Sequence, residues 1–274
     1  MTTSSALSRD TLLALVARSP ACVAAHDREG WLSLFAEDAA IEDPVGSPPA
    51  PKRDGTLGRF WDAFIAPNSI YFDVSADHTT PSATFRDSTI HTRTPSGVTV
   101  AVESYLEYRV TERDGALRVE RMRAFWSLRK MVLFVVKSGP RAWWAMSSLF
   151  VGMFRNLGVS WVLEYLASLW RTIGGRGERV AYELAEALSR RDEGAVRALF
   201  SADASVERRG EIARPEDLLG SIAEGAKVSI EAPIVAGYAC AFRYRIEGDA
   251  PVRGIGILEF DPASKSARSL ILSS

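Results

Sequence analysis

Asp43 is the residue in this chain whose neighbours best equip it for chemistry. The run Ala39-Ala40-Ile41-Glu42-Asp43-Pro44 alternates in polarity and stops at a proline. Side chains in a strand alternate between faces, so Ile41 and Asp43 share one face while Ala40 and Glu42 share the other. Ile41 is the apolar member and is expected to point inward, which carries Asp43 into the same interior. A carboxylate among apolar walls is costly to ionise, so its pKa is expected to rise. Such a group suits a general base that takes a proton beside a carbonyl and returns it elsewhere. A second reading stays open, because an Asp before a Pro often caps the turn that follows a strand.

The elements that must position Asp43 can be read from periodicity. Leu12, Leu13, Leu15 and Val16 begin an apolar helical stripe, which Pro20 is expected to break or kink near Ser19. Asp27 then caps a second helix carrying Trp31, Leu34 and Phe35. A short strand leads to Asp43 and a turn-rich exit through Gly46 and Pro48-Pro49, and residues 55–64 form a third helix. From Ser69 the pattern changes to period two, with strands expected over 69–76, 82–94, 97–111 and 116–128, the last two joined at Asp114-Gly115. Helices first and antiparallel strands afterwards make an α+β domain with helices on one sheet face.

Residues 129–176 differ from their surroundings. Trp143, Trp144, Trp161 and Trp170 sit among many Leu, Phe, Val and Met residues, interrupted by Lys137, Arg141, Arg155 and Glu164. No apolar run reaches the ~18 residues of a membrane-spanning helix. Two or three amphipathic helices are expected, with three readings open: packing between two domains, a face for a membrane surface, or a lid over a pocket.

The chain then repeats itself. The stretch from Asp27 to Asp43 matches that from Asp192 to Arg208, with Leu34 and Leu199, Phe35 and Phe200, Asp38 and Asp203, and Glu42 and Glu207 as identical pairs. A helix precedes the second match, a short helix over 216–222 follows it, and strands are expected over 227–232, 234–246, 252–260 and 266–272. A shared order of elements points to duplication of one fold. The expected domains are 1–128, a linker over 129–176, and 177–274. In the second copy Arg208 stands where the first has Asp43, and an arginine cannot act as a base at neutral pH.

The segment Phe35-Ala36-Glu37-Asp38-Ala39 followed by Ile41-Glu42-Asp43-Pro44-Val45-Gly46 resembles the signature of ketosteroid Δ5-isomerases, and Met122-Arg123-Ala124-Phe125-Trp126 resembles that family's last strand. The likeness covers residues 1–128, with 177–274 as a degenerate second copy, and extends to the SnoaL-like family and the wider nuclear transport factor 2-like superfamily. It implies two tandem cone-shaped domains, each of helices on a curved antiparallel sheet, joined by the helical apolar insert. It implies Asp43 as the base and an oxyanion hole that stabilises the enolate.

Counted back from Asp43, the family's oxyanion tyrosine falls at Ser19, and its supporting tyrosines fall near Phe35 and Trp61. The second donor belongs on the strand holding Glu103, Ser104 and Tyr105. The apolar face there is Val98, Val100, Val102, Leu106, Tyr108 and Val110, which places Ser104 in the cavity; Tyr105 or Glu103 serves only if a bulge reverses the face. Trp61, Met122 and Trp126 are expected to wall an apolar pocket for a flat polycyclic ligand, with a core role open for Met122.

Composition sets the outer limits. The 274 residues carry a net charge of −1, which argues against general nucleic-acid binding. Two distant cysteines and three unclustered histidines give neither a disulfide framework nor a metal site. The polar N-terminus lacks a secretory signal, so a cytoplasmic location is expected, with membrane association as an addition. The resulting expectation is proton transfer next to a carbonyl of a steroid or similar apolar ketone, without a cofactor. The expected partners are a small apolar ligand, a peripheral membrane contact through 131–170, and a second domain or second chain in a pseudodimer or homodimer. A non-catalytic carrier, or a related polyketide cyclase, dehydratase or epoxide hydrolase, fits the same residues.

Overall fold

A computed structural model describes residues 8–113, 115–248 and 250–274. The expected turn residue Asp114 and the first seven residues lie outside that set. The chain divides into two compact units, one holding 1–77 and 82–170, the other 171–274 together with 78–81.

In the first unit, helix α1 (Arg9–Ala24) starts at Ser8, whose side chain accepts from the Thr11 N–H. It runs through Pro20, so of the expected break or kink the break does not occur. A proline inside a helix costs roughly 3 kcal/mol. Burial of Leu12, Leu15, Val16 and Val23 along one face of α1 offsets that cost. Helix α2 (Arg28–Ser33) is capped by Asp27 as expected. Strands β1 (Phe35–Glu42) and β2 (Ala50–Pro51) follow, then α3 (Thr56–Phe60), which continues into one π-helical turn, Trp61–Ile65. Four long strands complete the sheet: β3 (Ser69–Thr80), β4 (Ala83–Arg93), β5 (Thr99–Arg113) and β6 (Ala116–Phe125).

The sheet order is β2-β1-β6-β5-β4-β3. It is mixed, not purely antiparallel, because β1 and β6 pair in parallel with Ile41 opposite Met122 and Glu42 opposite Arg123. That parallel pair brings the ends of β1 and β6 to the same edge of the structure, where Asp43 and Trp126 lie. The main core joins α1 and α2 to the inner sheet face through Leu12, Trp31, Phe35, Ile41, Leu106 and Ala124.

The insert forms three helices, α4 (Leu128–Lys137), α5 (Pro140–Leu157) and α6 (Val159–Ala167), all within the first unit. Met153, Val162 and Tyr165 are buried among them with Leu128, and Phe64 and Trp126 pack against that cluster. No described helix is long and apolar enough to cross a membrane.

The second unit begins with α7 (Gly175–Arg190) and α8 (Glu193–Leu199), the latter capped by Asp192. Strands β7 (Phe200–Arg208) and β8 (Glu211–Ala213), a 3₁₀ turn over Pro215–Ser221, and β9 (Val228–Ala236), β10 (Ala239–Ile246), β11 (Val252–Phe260) and β12 (Ala267–Ser273) follow. The sheet order β8-β7-β12-β11-β10-β9 reproduces that of the first unit. The turn expected at Pro233 falls instead after Ala236. Pro233 is accommodated inside β9, an edge strand, because the pairing with β10 slips register there: Ala232, at φ 44°, and Pro233 stand between the partners of Arg243 and Ala241.

Candidate active site

Asp43 sits one residue beyond β1, and Val45 fixes its approach by donating its N–H to the Ala124 carbonyl at 2.8 Å. Ile41 and Asp43 both line one cavity, as the alternation of β1 requires. The Asp43 carboxylate accepts a hydrogen bond from the Trp126 indole Nε1 at 2.5 Å. Burial pushes its pKa up to about 6, against the opposing pull of that indole N–H. A carboxyl group poised near 6 is ionised at neutral pH yet remains basic enough to accept a proton from carbon.

The cavity measures about 660 Å³, within the range of small-molecule sites. One wall is the inner face of β4 and β5, with Ile90 and Thr92 on the first, Val100, Val102, Leu106 and Tyr108 on the second, and Val98 just before it. The opposite wall comes from the insert: Leu149, Gly152 and Asn156 of α5 and Tyr165 of α6. Side chains of the insert thus form part of the cavity lining. At about 3.3 Å per residue, the β5 wall from Val98 to Leu106 runs for about 26 Å, longer than a four-ring steroid nucleus.

Beside the carboxylate, Trp31, Ser19 and Tyr108 of the cavity lining are joined in a relay. Trp31 Nε1 donates to Ser19 Oγ at 3.1 Å, and the Ser19 hydroxyl is hydrogen-bonded to the Tyr108 hydroxyl. Burial raises the Tyr108 pKa, the nearby Arg86 guanidinium and the Ser19 hydrogen bond oppose the rise, and the Asp43 charge adds to it. Tyr108 therefore stays a phenol at neutral pH. Arg86 is itself buried and is held by Asp77 through two contacts, Nε to Oδ1 at 2.8 Å and Nη2 to Oδ2 at 2.9 Å. An indole N–H can only donate, so the Ser19 oxygen accepts from Trp31 and its own proton is available to the Tyr108 oxygen.

Of the residues singled out in the sequence, Asp43, Ser19, Met122 and Trp126 meet at the cavity. Trp61 does not reach it; its ring is buried against Trp31 at a centroid distance of 5.2 Å and backs the wall. Ser104 is on the inner face but is turned to its cross-strand partner, donating to the Ser88 carbonyl at 3.0 Å. Tyr105 points to the opposite face, because no bulge interrupts β5 between Val98 and Arg109. Tyr108 was legible as part of the inward face of β5 and was overlooked because its ring reads as one more apolar wall residue.

The corresponding interior of the second unit, among the described residues, is nearly filled. Phe242 and Tyr244 pair across the sheet with Gly256 and Gly254, and their rings lie where glycine side chains would be, 2.4 Å and 2.7 Å from an added Cβ. The rings fill the interior and leave a void of about 30 Å³ bordered by Arg208. Among the described residues, no group of three or more His, Cys, Asp or Glu side chains is arranged to hold a metal ion.

No protein-family model and no curated protein sequence matches the chain. Solved structures do. A Δ5-3-ketosteroid isomerase from a Mycobacterium species is 27% identical over 43% of this chain and 95% of its own, with a TM-score of 0.39. A Mycobacterium tuberculosis protein crystallised with estradiol-17β-hemisuccinate is 32% identical over the same shares, with a TM-score of 0.39. An epoxide hydrolase/cyclase-like enzyme of pyran ring formation in salinomycin is 18% identical over 44% of this chain and 93% of its own, again with a TM-score of 0.39. The similarity to these three structures extends over 43–44% of the chain.

Proposed function

We propose that the first unit is an enzyme that moves a proton next to a carbonyl of an elongated apolar ketone, with Asp43 as the general base. The observation that carries this reading is the Asp43 carboxylate, raised to about 6 by burial and facing a largely apolar cavity of about 660 Å³ together with the Tyr108 phenol, whereas the other carboxylate of the lining, Asp62, is ion-paired with Arg28. Asp43 takes a proton from the carbon beside the carbonyl, and the freed electron pair moves to form an enolate. The Tyr108 O–H, with its oxygen supported by Ser19 and Trp31, donates to the enolate oxygen. Protonated Asp43 then returns the proton at a different carbon, so that a double bond has moved and no atom is gained or lost. Preorganised donors of this kind act where charge develops, and removing one typically costs ~10²–10³ in rate.

A Δ5-3-ketosteroid is the first substrate to test, because the Asp43 motif resembles that of the isomerases. The length of the β5 wall adds that a substituent beyond the ring system is accommodated. Trp126 is a positioning residue that fixes the carboxylate and sets its basicity. Arg208 and the filled interior of the second unit support a structural role for that half, within a tandem duplication of one fold. The test is turnover of Δ5-3-ketosteroids by wild type and by Asp43→Asn.

The carrier reading is favoured by one observation, the excess of apolar wall over polar groups in the cavity. It is separated by the same assay: a carrier binds the ketone and leaves the double bond where it was. A cyclase, dehydratase or epoxide hydrolase would use Asp43 and Tyr108 on a substrate with an oxygen leaving group, and would show in product analysis.

A further inference from the structure

The insert presents a second face besides the one that lines the cavity. On α5, Trp143, Trp144, Val151 and Phe154 fall within one helical stripe, and all are exposed, Trp144 at 72%. Leu133 of α4 and Leu163 of α6 are exposed as well. The Trp143 N–H is already satisfied by the Val136 carbonyl at 3.3 Å, so its ring meets a partner as hydrocarbon. Large apolar side chains gathered on one surface mark an interaction site.

Two observations say what covers it. First, residues 128–170 contain five cations (Arg129, Lys130, Lys137, Arg141 and Arg155) against one acid, Glu164, in a chain whose net charge is −1. Exposed tryptophans with interspersed Lys and Arg suit the headgroup region of an anionic bilayer. The same excess of positive charge along the insert disfavours pairing with the insert of a second copy. Secondly, Trp144 and Val151 are at once exposed and part of the cavity wall, so the apolar surface is continuous with the cavity. A membrane against α5 would place the source of an apolar ligand at that opening.

We infer that the exposed face of α4–α6 docks on an anionic lipid surface, lying on the bilayer without crossing it. This goes beyond the reaction proposed for Asp43 and stands if that reaction is another. The experiment is cosedimentation of the full chain with phosphatidylcholine vesicles, with and without phosphatidylglycerol, at low and high salt. Wild type is expected to bind the phosphatidylglycerol vesicles at low salt and to bind at least about tenfold more weakly at high salt. The double variant Trp143→Glu, Phe154→Glu touches neither Asp43 nor the cavity wall, and is expected to lower vesicle affinity by at least about tenfold. Unchanged circular dichroism in that variant shows that the fold survives. No sedimentation with either vesicle, or equal sedimentation of wild type and variant, overturns the inference. So does concentration-dependent self-association that the same substitutions abolish, since the face would then be covered by a second copy.

Discussion

The indole Nε1 of Trp126 donates to Oδ1 of Asp43 across two parallel strand ends that are far apart in sequence. Burial raises the pKa of Asp43 and this hydrogen bond restrains the rise. The basicity of the group is thus set by two named causes of opposite sign.

The pH dependence of catalysis follows. With an Asp43 pKa of about 6, kcat/KM on a Δ5-3-ketosteroid is expected to rise with pH through about 6 and level off above it. Trp126→Phe removes the hydrogen bond that favours the charged form, so the ascending limb is expected to move to higher pH. A profile that moves to lower pH, or does not move, would contradict the assigned role. Because the Tyr108 pKa is raised, no descending limb is expected below about pH 10.

Stability carries the same signature with a definite sign. The folded-state pKa of Asp43 lies above its ordinary value of 3.8, so the folded protein holds the proton more tightly than the unfolded chain. Stability therefore falls as pH rises from about 4 to about 6, by roughly 2–3 kcal/mol at this site. Asp43→Asn keeps an acceptor for Trp126 and removes the charge. It is expected to equal wild type in urea denaturation near pH 4 and to be more stable at pH 7. A stability difference independent of pH would contradict the shift.

Tyr108→Phe removes the donor proposed for the enolate oxygen. It is expected to lower kcat by about 10²–10³ while leaving the ascending pH limb near 6. Ser19→Ala, one step back in the relay, is expected to cost less. If Tyr108→Phe turns over at the wild-type rate, the oxyanion is stabilised elsewhere.

One ligand per chain is expected in calorimetric titration with a flat phenolic steroid, because Phe242 and Tyr244 fill the interior of the second unit. Two sites of similar affinity would show that this interior opens.

Much of this was legible in the sequence. Period-two strands and the repeated Asp27–Asp43 pattern gave two α+β units, and the Ile41–Asp43 alternation put the carboxylate inside. Pro20 misled because local propensity was set against a helix whose buried face outweighs it. The parallel pairing of β1 with β6 is not a local property, so the sheet read as antiparallel. Trp61 misled because an aromatic facing inward can back a wall as well as line it, and only the position of Trp31 decides between them. Tyr108 was visible on the inward face of β5, but its hydroxyl acquires meaning only beside Ser19, which arrives from α1.

The central claim is that Asp43 carries the proton. The most direct measurement is the rate of double-bond migration in a Δ5-3-ketosteroid by wild type and Asp43→Asn, with binding of a flat phenolic steroid measured in parallel. The account predicts that turnover falls by at least about 10²-fold while the phenol still binds, because apolar walls supply most of the affinity. Equal rates in the two proteins, or no turnover by a wild type that binds the steroid, would contradict it.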